Sequence, residues 1–344
     1  MALTYVDAGV DQTKKDKAID RILEMMRRTH DKGVIDLPWG FAGLYSLVTA
    51  PALKKKLKHP VLVACTDGVG TKLKLARAMG VHDTVGIDLV AMSVNDLIVT
   101  GAAPLFFLDY IAMGKVDKAV LLDIVKGVVE GCAQSECALL GGETAEMPGL
   151  YAEGDYDLAG FCVGIVDKAK IIDGSGVKAG DAVIALASSG LHSNGYSLAR
   201  KIVEGRDFAE KFSGATLGRT LLAPTRIYAR TIRKLLAKHP VKAMANITGG
   251  GLVENIPRVI PKGLAVEIGE GSWKVPPIFP FLQETGDVPP EEMYRVFNMG
   301  VGMVVVVAPA RADAVLKTLR KLGETASVVG RVVRGDGDVR LLPE

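Results

Sequence analysis

The chain has 344 residues, of which 49% are hydrophobic and 24% are charged, and its formal net charge is +3. This length predicts two domains, because a single hydrophobic core rarely grows beyond about 250–300 residues. The small charge neither indicates nor excludes a nucleic-acid partner, but no aromatic residues are interleaved among the basic ones, so we expect no such partner. No apolar run reaches the ~18 residues of a membrane span and no signal pattern opens the chain, so we expect a cytoplasmic protein with no membrane partner.

Hydrophobic periodicity predicts alternating helices and strands throughout the chain. In the first half we expect helices near 16–28, 87–100 and 118–134, and strands near 61–66, 104–113, 138–140 and 156–166. In the second half we expect strands at 182–187 and 301–308, and helices at 195–203, 226–236 and 311–322. A polar stretch rich in glycine and lysine at 167–180 predicts the boundary between domains 1–168 and 169–344. This alternation is typical of α/β or α+β domains.

The sequence DGVGTK at residues 67–72 directly follows the first predicted strand. The carboxylate of Asp67 can hold a hard divalent cation through oxygen. Gly68 and Gly70 allow a phosphate to approach backbone N–H groups, and Lys72 adds a positive charge. The segment therefore predicts a site for a metal-bound triphosphate.

Neither standard nucleotide fingerprint is present, since Leu73 stands where GxGxxG needs a glycine and where Walker A needs Ser or Thr. A triphosphate would instead be held through acids, and Asp67, Asp96 and Glu143 each lie beside a predicted turn of glycine or small residues. Three carboxylates near one triphosphate suit Mg²⁺, which takes a few protein ligands plus phosphate oxygens. The alternative is that Asp88 and Asp96 are helix-capping or solvated residues.

Two further clusters predict a second anion site. His192 lies in SSGLHSNGYS, where Ser193 or Asn194 can cap the following helix and its free N–H groups can seat a phosphate. Residues 249–251 are three glycines after a mostly apolar run, with Thr248 as a hydroxyl donor. A lone histidine is more often structural than catalytic, so that alternative stays open. Together the clusters predict ATP and Mg²⁺ acting on a phosphorylated small molecule.

Motifs along nearly the whole chain resemble those of the phosphoribosylformylglycinamidine cyclo-ligases, also called aminoimidazole ribonucleotide synthetases. The motifs are DAGVD (7–11), DGVGTK (67–72), GIDLVAMSVNDL (86–97), PLFFLDY (104–110), GGETAEMPG (141–149), DLAGFCVG (157–164), LHSNGYSLARKI (191–202), LLAPTRIY (221–228), TGGGLVENIPR (248–258) and EMYRVFNMGVGM (292–303). Each string alone is weak, but their order and spacing make the resemblance specific.

The resemblance implies that ATP phosphorylates the formyl amide oxygen of formylglycinamidine ribonucleotide. A nitrogen then closes the imidazole ring, which gives aminoimidazole ribonucleotide, ADP and phosphate. It also implies an N-terminal mixed α/β domain whose strands build a homodimer interface, a C-terminal α/β domain that closes the active-site cleft, and the use of Mg²⁺.

On this chain the resemblance assigns the metal to Asp67, Asp96 and Glu143, and catalysis to Asp67, Lys72 and His192. The residues it implies for binding ATP or substrate are Gly68, Gly70, Thr71, Asn95, Gly141, Gly142, Thr144, Ser193, Asn194, Gly249, Gly250 and Gly251. Two positions depart from the family pattern: Asn246 stands where His is usual, and Ala42 replaces a glycine in WGFAGLY. An asparagine can donate a hydrogen bond but cannot transfer a proton.

Two other functions remain alternatives. A sister ATP-dependent enzyme such as thiamine-phosphate kinase typically opens with a GDDAA-like motif, from which DAGVD differs. A non-catalytic nucleotide-binding regulator could have lost some of the acids, Lys72 or His192, all of which are retained here.

Overall fold

The computed structural model describes residues 12–36, 42–53 and 57–343. These residues form two compact units: the first comprises residues up to Leu97 together with Ala103–Lys168, and the second comprises Ile98–Ala102 and the residues from Ala169 onward. The DAGVD motif and residues 39–41 of WGFAGLY lie outside the described residues.

A four-stranded sheet forms the centre of the first unit. The helices of this unit are α1 (Gln12–Arg27), α2 (Lys72–Met79), α3 (Val85–Ile98) and α4 (Lys118–Ser135). The strands are β1 (Val34–Ile35), β2 (Leu44–Tyr45), β3 (Pro60–Gly68), β4 (Ala103–Met113), β5 (Ala138–Glu146) and β6 (Tyr156–Asp167). The sheet order is β3-β6-β4-β5, and β6 runs antiparallel to both neighbours while β4 and β5 are parallel.

The register of this sheet places two aspartates in one row. Asp67 pairs with Gly160, Gly160 with Asp109, and Asp109 with Gly142. Cross-strand partners share a face, so all four project to the same side of the sheet. Helix α3 covers this side, because the thiol of Cys65, two residues before Asp67, donates to the α3 carbonyl of Ser93 at 3.0 Å.

A six-stranded sheet forms the centre of the second unit. The strands of this unit are β7 (Ala182–Ala187), β8 (Lys211–Phe212), β9 (Ala215–Thr216), β10 (Ala243–Asn246), β11 (Leu264–Gly269), β12 (Val301–Val307), β13 (Ala326–Arg334) and β14 (Val339–Leu342). The sheet order is β10-β12-β7-β13-β11-β14, and β8 and β9 pair with each other outside this sheet. The helices are α5 (Tyr196–Ile202), α6 (Leu217–Leu221), α7 (Ala229–Leu236), α8 (Gly251–Asn255), α9 (Ile278–Gly286), α10 (Pro290–Val296) and α11 (Ala312–Lys321).

The strand directions bring three loops to the same end of neighbouring strands in this second sheet. Strand β12 is antiparallel to both β10 and β7, so β10 and β7 run in the same direction. The loop 188–195 after β7 and the loop 247–250 after β10 therefore leave the sheet where the segment 297–300 enters β12. All seven residues of β12 are buried, so the segment 297–300 leads directly into the core of the unit.

The mixed α/β class is confirmed, but some predicted elements were wrong. The strand predicted at 138–140 continues to Glu146, so Gly141 and Gly142 lie within a strand rather than in a turn. The helix predicted from residue 226 begins at Ala229, which leaves Pro224 outside its first turn. The described part of the chain contains no helix that could span a bilayer.

Candidate active site

The residues between the end of β3 and the start of α2 form a solvent-accessible polar turn in the first unit. Asp67 is half-buried, and its Oδ1 accepts the N–H of Gly68 at 2.7 Å. Gly70 has a φ of +74°, with no atom within 4 Å of an added Cβ, and the exposed Thr71 precedes α2. Burial raises the pKa of Asp67, the Gly68 hydrogen bond lowers it, and the charge of Asp96 raises it. A cation near Asp67 and Asp96 would relieve this repulsion.

Glu143 lies away from this pair of acids in the same chain. It pairs with Tyr110 on β4, one residue beyond the row that contains Asp67. Successive strand residues alternate between faces, so Glu143 projects from the opposite face, three strands or about 14 Å away. Among the residues that the structure describes, no three or more His, Cys, Asp or Glu side chains are grouped to hold a metal. A metal role for Glu143 stays a prediction without support from this geometry.

Lys72 is enclosed in the core of the first unit. Its Nζ donates to Asp88 at 2.9 Å, and both side chains have no exposed area. Burial lowers the pKa of the Lys72 amine, and the charge of Asp88 opposes that shift. The alternative of a capping or solvated Asp88 is wrong, since this side chain is buried and paired. The phosphate role of Lys72 stays a prediction, with an acidic partner already at the amine.

Three of the remaining predicted residues in this unit lie on β5, and one lies on α3. Gly141 and Thr144 are half-buried, Gly142 is exposed, and Asn95 is fully buried on α3 beside the exposed Asp96. Their roles in binding ATP or substrate stay predictions.

Asp109 is a titratable group that the sequence analysis did not single out. Its carboxylate lies over Gly142, where an added Cβ would be 2.2 Å from Asp109 Oδ1. Burial raises the pKa of Asp109 to about 7. The sequence signal was an aspartate within the otherwise mostly apolar run PLFFLDYIAM.

In the second unit the structure brings the two predicted glycine- and serine-containing loops together. Asn194 Oδ1 lies 3.5 Å from the position that a Cβ on Gly249 would occupy. Gly250 and Gly251 both have positive φ, at +94° and +56°, which turns the chain sharply into α8. His192 is only 1% exposed, so its ring lies inside the unit beneath these loops.

A buried asparagine, Asn255, stabilises the glycine loop through hydrogen bonds to its backbone. Asn255 is buried, and its Nδ2 donates to the carbonyls of Gly251 at 2.8 Å and Gly249 at 3.1 Å. Asn246, which replaces the usual histidine, is also buried and ends β10. Asn255 was not predicted from the sequence, although two polar residues, Glu254 and Asn255, interrupt the apolar run between Val253 and Ile256.

Family models match both units. The N-terminal domain of AIR synthase related proteins matches residues 51–166, and the C-terminal domain matches residues 178–342. The phosphoribosylformylglycinamidine cyclo-ligase of Thermoanaerobacter pseudethanolicus is 51% identical over 98% of this chain and 100% of its own length. The enzyme of the same name from Burkholderia ambifaria is 54% identical over 96% of this chain and 93% of its own length. The chain belongs to the phosphoribosylformylglycinamidine cyclo-ligase family. The resemblance carried by the motifs is thereby confirmed.

Solved structures with lower identity share the fold. Thiamine-monophosphate kinase from Stenotrophomonas maltophilia K279a is 17% identical, with a TM-score of 0.67 over 94% of this chain and 95% of its own. The hydrogenase maturation protein HypE of E. coli is 19% identical, with a TM-score of 0.68 over 95% of this chain and 93% of its own. At such identity the likeness concerns the fold, so the cyclo-ligase family match outweighs the sister kinase as an alternative.

Proposed function

We propose that this chain uses ATP to convert formylglycinamidine ribonucleotide into aminoimidazole ribonucleotide, ADP and phosphate. The observation that carries the proposal is the 51–54% identity to cyclo-ligases over 96–98% of the chain. Phosphorylation of the formyl amide oxygen provides a good leaving group. Ring closure is then intramolecular, so the protein contributes mainly orientation and charge stabilisation. A cytoplasmic location stays a prediction.

The first unit would hold ATP with Mg²⁺ near Asp67 and Asp96. The repulsion between these two carboxylates supports this placement, since Mg²⁺ prefers oxygen ligands and binds through one or two carboxylates plus phosphate oxygens. The solvent-accessible turn at Gly68, Gly70 and Thr71 leaves space for phosphates beside the backbone. When bound, Mg²⁺ would neutralise phosphate charge during transfer.

The second unit would orient the phosphorylated substrate. The close approach of Asn194 to Gly249 supports a shared anion site built from Ser193, Asn194 and residues 249–251. Backbone N–H groups and the Asn194 amide are suitable donors for a phosphate.

The metal proposal is tested by Asp67→Asn, which keeps the shape of the side chain but removes its charge. We expect loss of Mg²⁺-dependent ADP formation, with an unchanged circular dichroism spectrum. Asp123→Asn, on the exposed surface of α4, serves as the control and should behave as wild type. Wild-type dependence on Mg²⁺ in Asp67→Asn would remove this residue from the metal site.

A homodimer would cover the exposed part of the sheet face opposite α3, a face on which Ile165 is already buried against Ala50. Leu62 and Phe161 project from this face and are 60% and 43% exposed. Large exposed side chains on one sheet face support association, because their burial removes apolar area from water. Phe161→Glu should shift the protein toward monomer in sedimentation velocity experiments. Val328→Glu, at a 41% exposed position in the second unit, is the matched control; a dimer in both variants would contradict this interface.

A further inference from the structure

The side chain of Asn298 stabilises the loop 188–195 through hydrogen bonds. It is 1% exposed, and its Nδ2 donates to the carbonyl of Gly190 at 2.8 Å. Its Oδ1 accepts the N–H of Gly300 at 2.8 Å and lies 3.1 Å from the hydroxyl of Ser188. Both ends of one buried amide are thus used to join the loop to the segment that enters β12.

The side chain of His192 forms a hydrogen bond within the same loop. Its Nε2 accepts the backbone N–H of Ser189 at 3.2 Å. A ring nitrogen that accepts a hydrogen bond carries no proton, so this contact assigns the neutral imidazole with its proton on Nδ1. His192 has a φ of +61°, a conformation that non-glycine residues keep only where the surroundings enforce it.

The ring of His192 is enclosed against the sheet. Its centroid lies 6.4 Å from that of Tyr228, whose hydroxyl donates to the carbonyl of Ala187 at 2.8 Å. An added Cβ on Gly302 of β12 would lie 2.0 Å from the Tyr228 hydroxyl and 2.5 Å from His192 Cε1. The absence of a side chain at Gly302 therefore creates the space that these two rings fill.

We propose that His192 and Asn298 are positioning residues that set the shape of the 188–195 loop, through which Ser193 and Asn194 meet the substrate. This inference rests on the proposed function of that loop. The imidazole takes no part in proton transfer, because it is enclosed, neutral and already engaged by Ser189. It acts on the reaction only through the loop backbone.

The kinetic test compares His192→Ala, His192→Asn and Asn298→Ala. Among non-glycine residues, asparagine is enriched at positive φ, so His192→Asn should keep the backbone turn that His192→Ala loosens. Misplacing a loop that orients substrate should raise the KM for formylglycinamidine ribonucleotide about tenfold in His192→Ala and Asn298→Ala, with the KM for ATP nearly unchanged. His192→Asn should recover most of this loss, and its profile of kcat/KM against pH should have the wild-type shape.

A matched control separates positioning from stability. His239→Asn removes a hydrogen bond of 2.7 Å between His239 Nε2 and Thr318, in the same unit but outside the loop. It should lower the melting temperature without changing either KM. An unchanged substrate KM in folded Asn298→Ala, or loss of one limb of the pH profile in His192→Asn, would overturn the proposal.

An NMR measurement that requires no enzymatic activity tests the same proposal, even if the protein does not turn over the substrate. The chain has five histidines, and His192→Asn identifies the ring signals of His192 in NMR spectra. We expect its ¹³C shifts to report the neutral Nδ1–H tautomer under the conditions of the assay. Shifts of the Nε2–H tautomer or of a doubly protonated ring would overturn the positioning role, whereas failure of wild-type turnover alone would count against the proposed function.

Discussion

The buried ion pair of Lys72 and Asp88 allows the architecture of the first unit to be tested quantitatively. The two groups are 2.9 Å apart and neither side chain has exposed area. Removing one partner of such a pair leaves an uncompensated charge and costs about 3–5 kcal/mol. Lys72→Met keeps most of the aliphatic stem, so we expect this loss to arise from the charge of Asp88 rather than from a cavity.

The double variant Lys72→Met/Asp88→Leu removes both charges. Because no buried charge remains, its free energy of unfolding should lie within about 1 kcal/mol of wild type or exceed it. If each single variant loses about 3–5 kcal/mol, the coupling energy between the two sites would then be about 5 kcal/mol or more. Urea unfolding of wild type, both single variants and the double variant, at one protein concentration, measures these values. A loss below about 1 kcal/mol in Lys72→Met, or no recovery in the double variant, would mean that the two side chains do not form a buried ion pair.

The same double variant decides the role of Lys72 in catalysis. Since the amine is enclosed and paired, we expect ADP formation by the folded double variant to remain within about tenfold of wild type. Complete loss of turnover in a folded double variant would instead support the sequence-based assignment of Lys72 to a phosphate.

Three further perturbations follow from the geometry. The pKa of Asp109, about 7 in the folded state, exceeds its unfolded value near 4, so the folded state binds the extra proton between these pH values. Stability should therefore fall by about 2–4 kcal/mol as pH rises from 4 to 7, and Asp109→Asn should remove this contribution in urea unfolding; an unchanged slope would contradict the shift. Gly142→Ala would place Cβ 2.2 Å from Asp109 Oδ1. The free energy of unfolding, measured by thermal unfolding, should therefore fall by about 1–3 kcal/mol and should be partly restored by Asp109→Gly. Equal stability of Gly142→Ala and wild type would mean that the carboxylate lies elsewhere. The Oε2 of Glu254 lies 2.7 Å from an ideal Cβ on Gly250, where its charge opposes an anion. Glu254→Gln should lower the steady-state KM for the phosphorylated substrate about two- to fivefold, and an unchanged KM would place the phosphate away from Gly250.

The elements that sequence reasoning predicted well are those whose signal is local. Strand β12 is an unbroken apolar run buried along its full length, and its observed end at Val307 differs by one residue from the expectation. The glycine pair Gly141–Gly142 was misplaced because a β-strand that contains glycine is defined by its neighbour. Pairing with β4, about thirty residues earlier, is not visible in the local pattern.

The candidate site shows the same limit. Helix-start and glycine patterns, which the sequence displays, mark the loops near residues 192 and 249. Their convergence follows from the directions of β7 and β10 in the sheet, which the local pattern does not display. The pairing of Lys72 with Asp88 and the contact of Asn298 with Gly190 join residues 16 and 108 positions apart. A side chain that looks available in the sequence can therefore be fully engaged in the folded protein, as Lys72 and His192 are.

The most direct test of the central claim is the release of ADP and the formation of aminoimidazole ribonucleotide by the purified wild-type protein. Mg²⁺-ATP is supplied with and without formylglycinamidine ribonucleotide, and both products are quantified in the same reaction. We expect the two products to rise one-for-one and only when the substrate is present. No substrate-stimulated ADP, from protein that is folded and binds ATP, would contradict it.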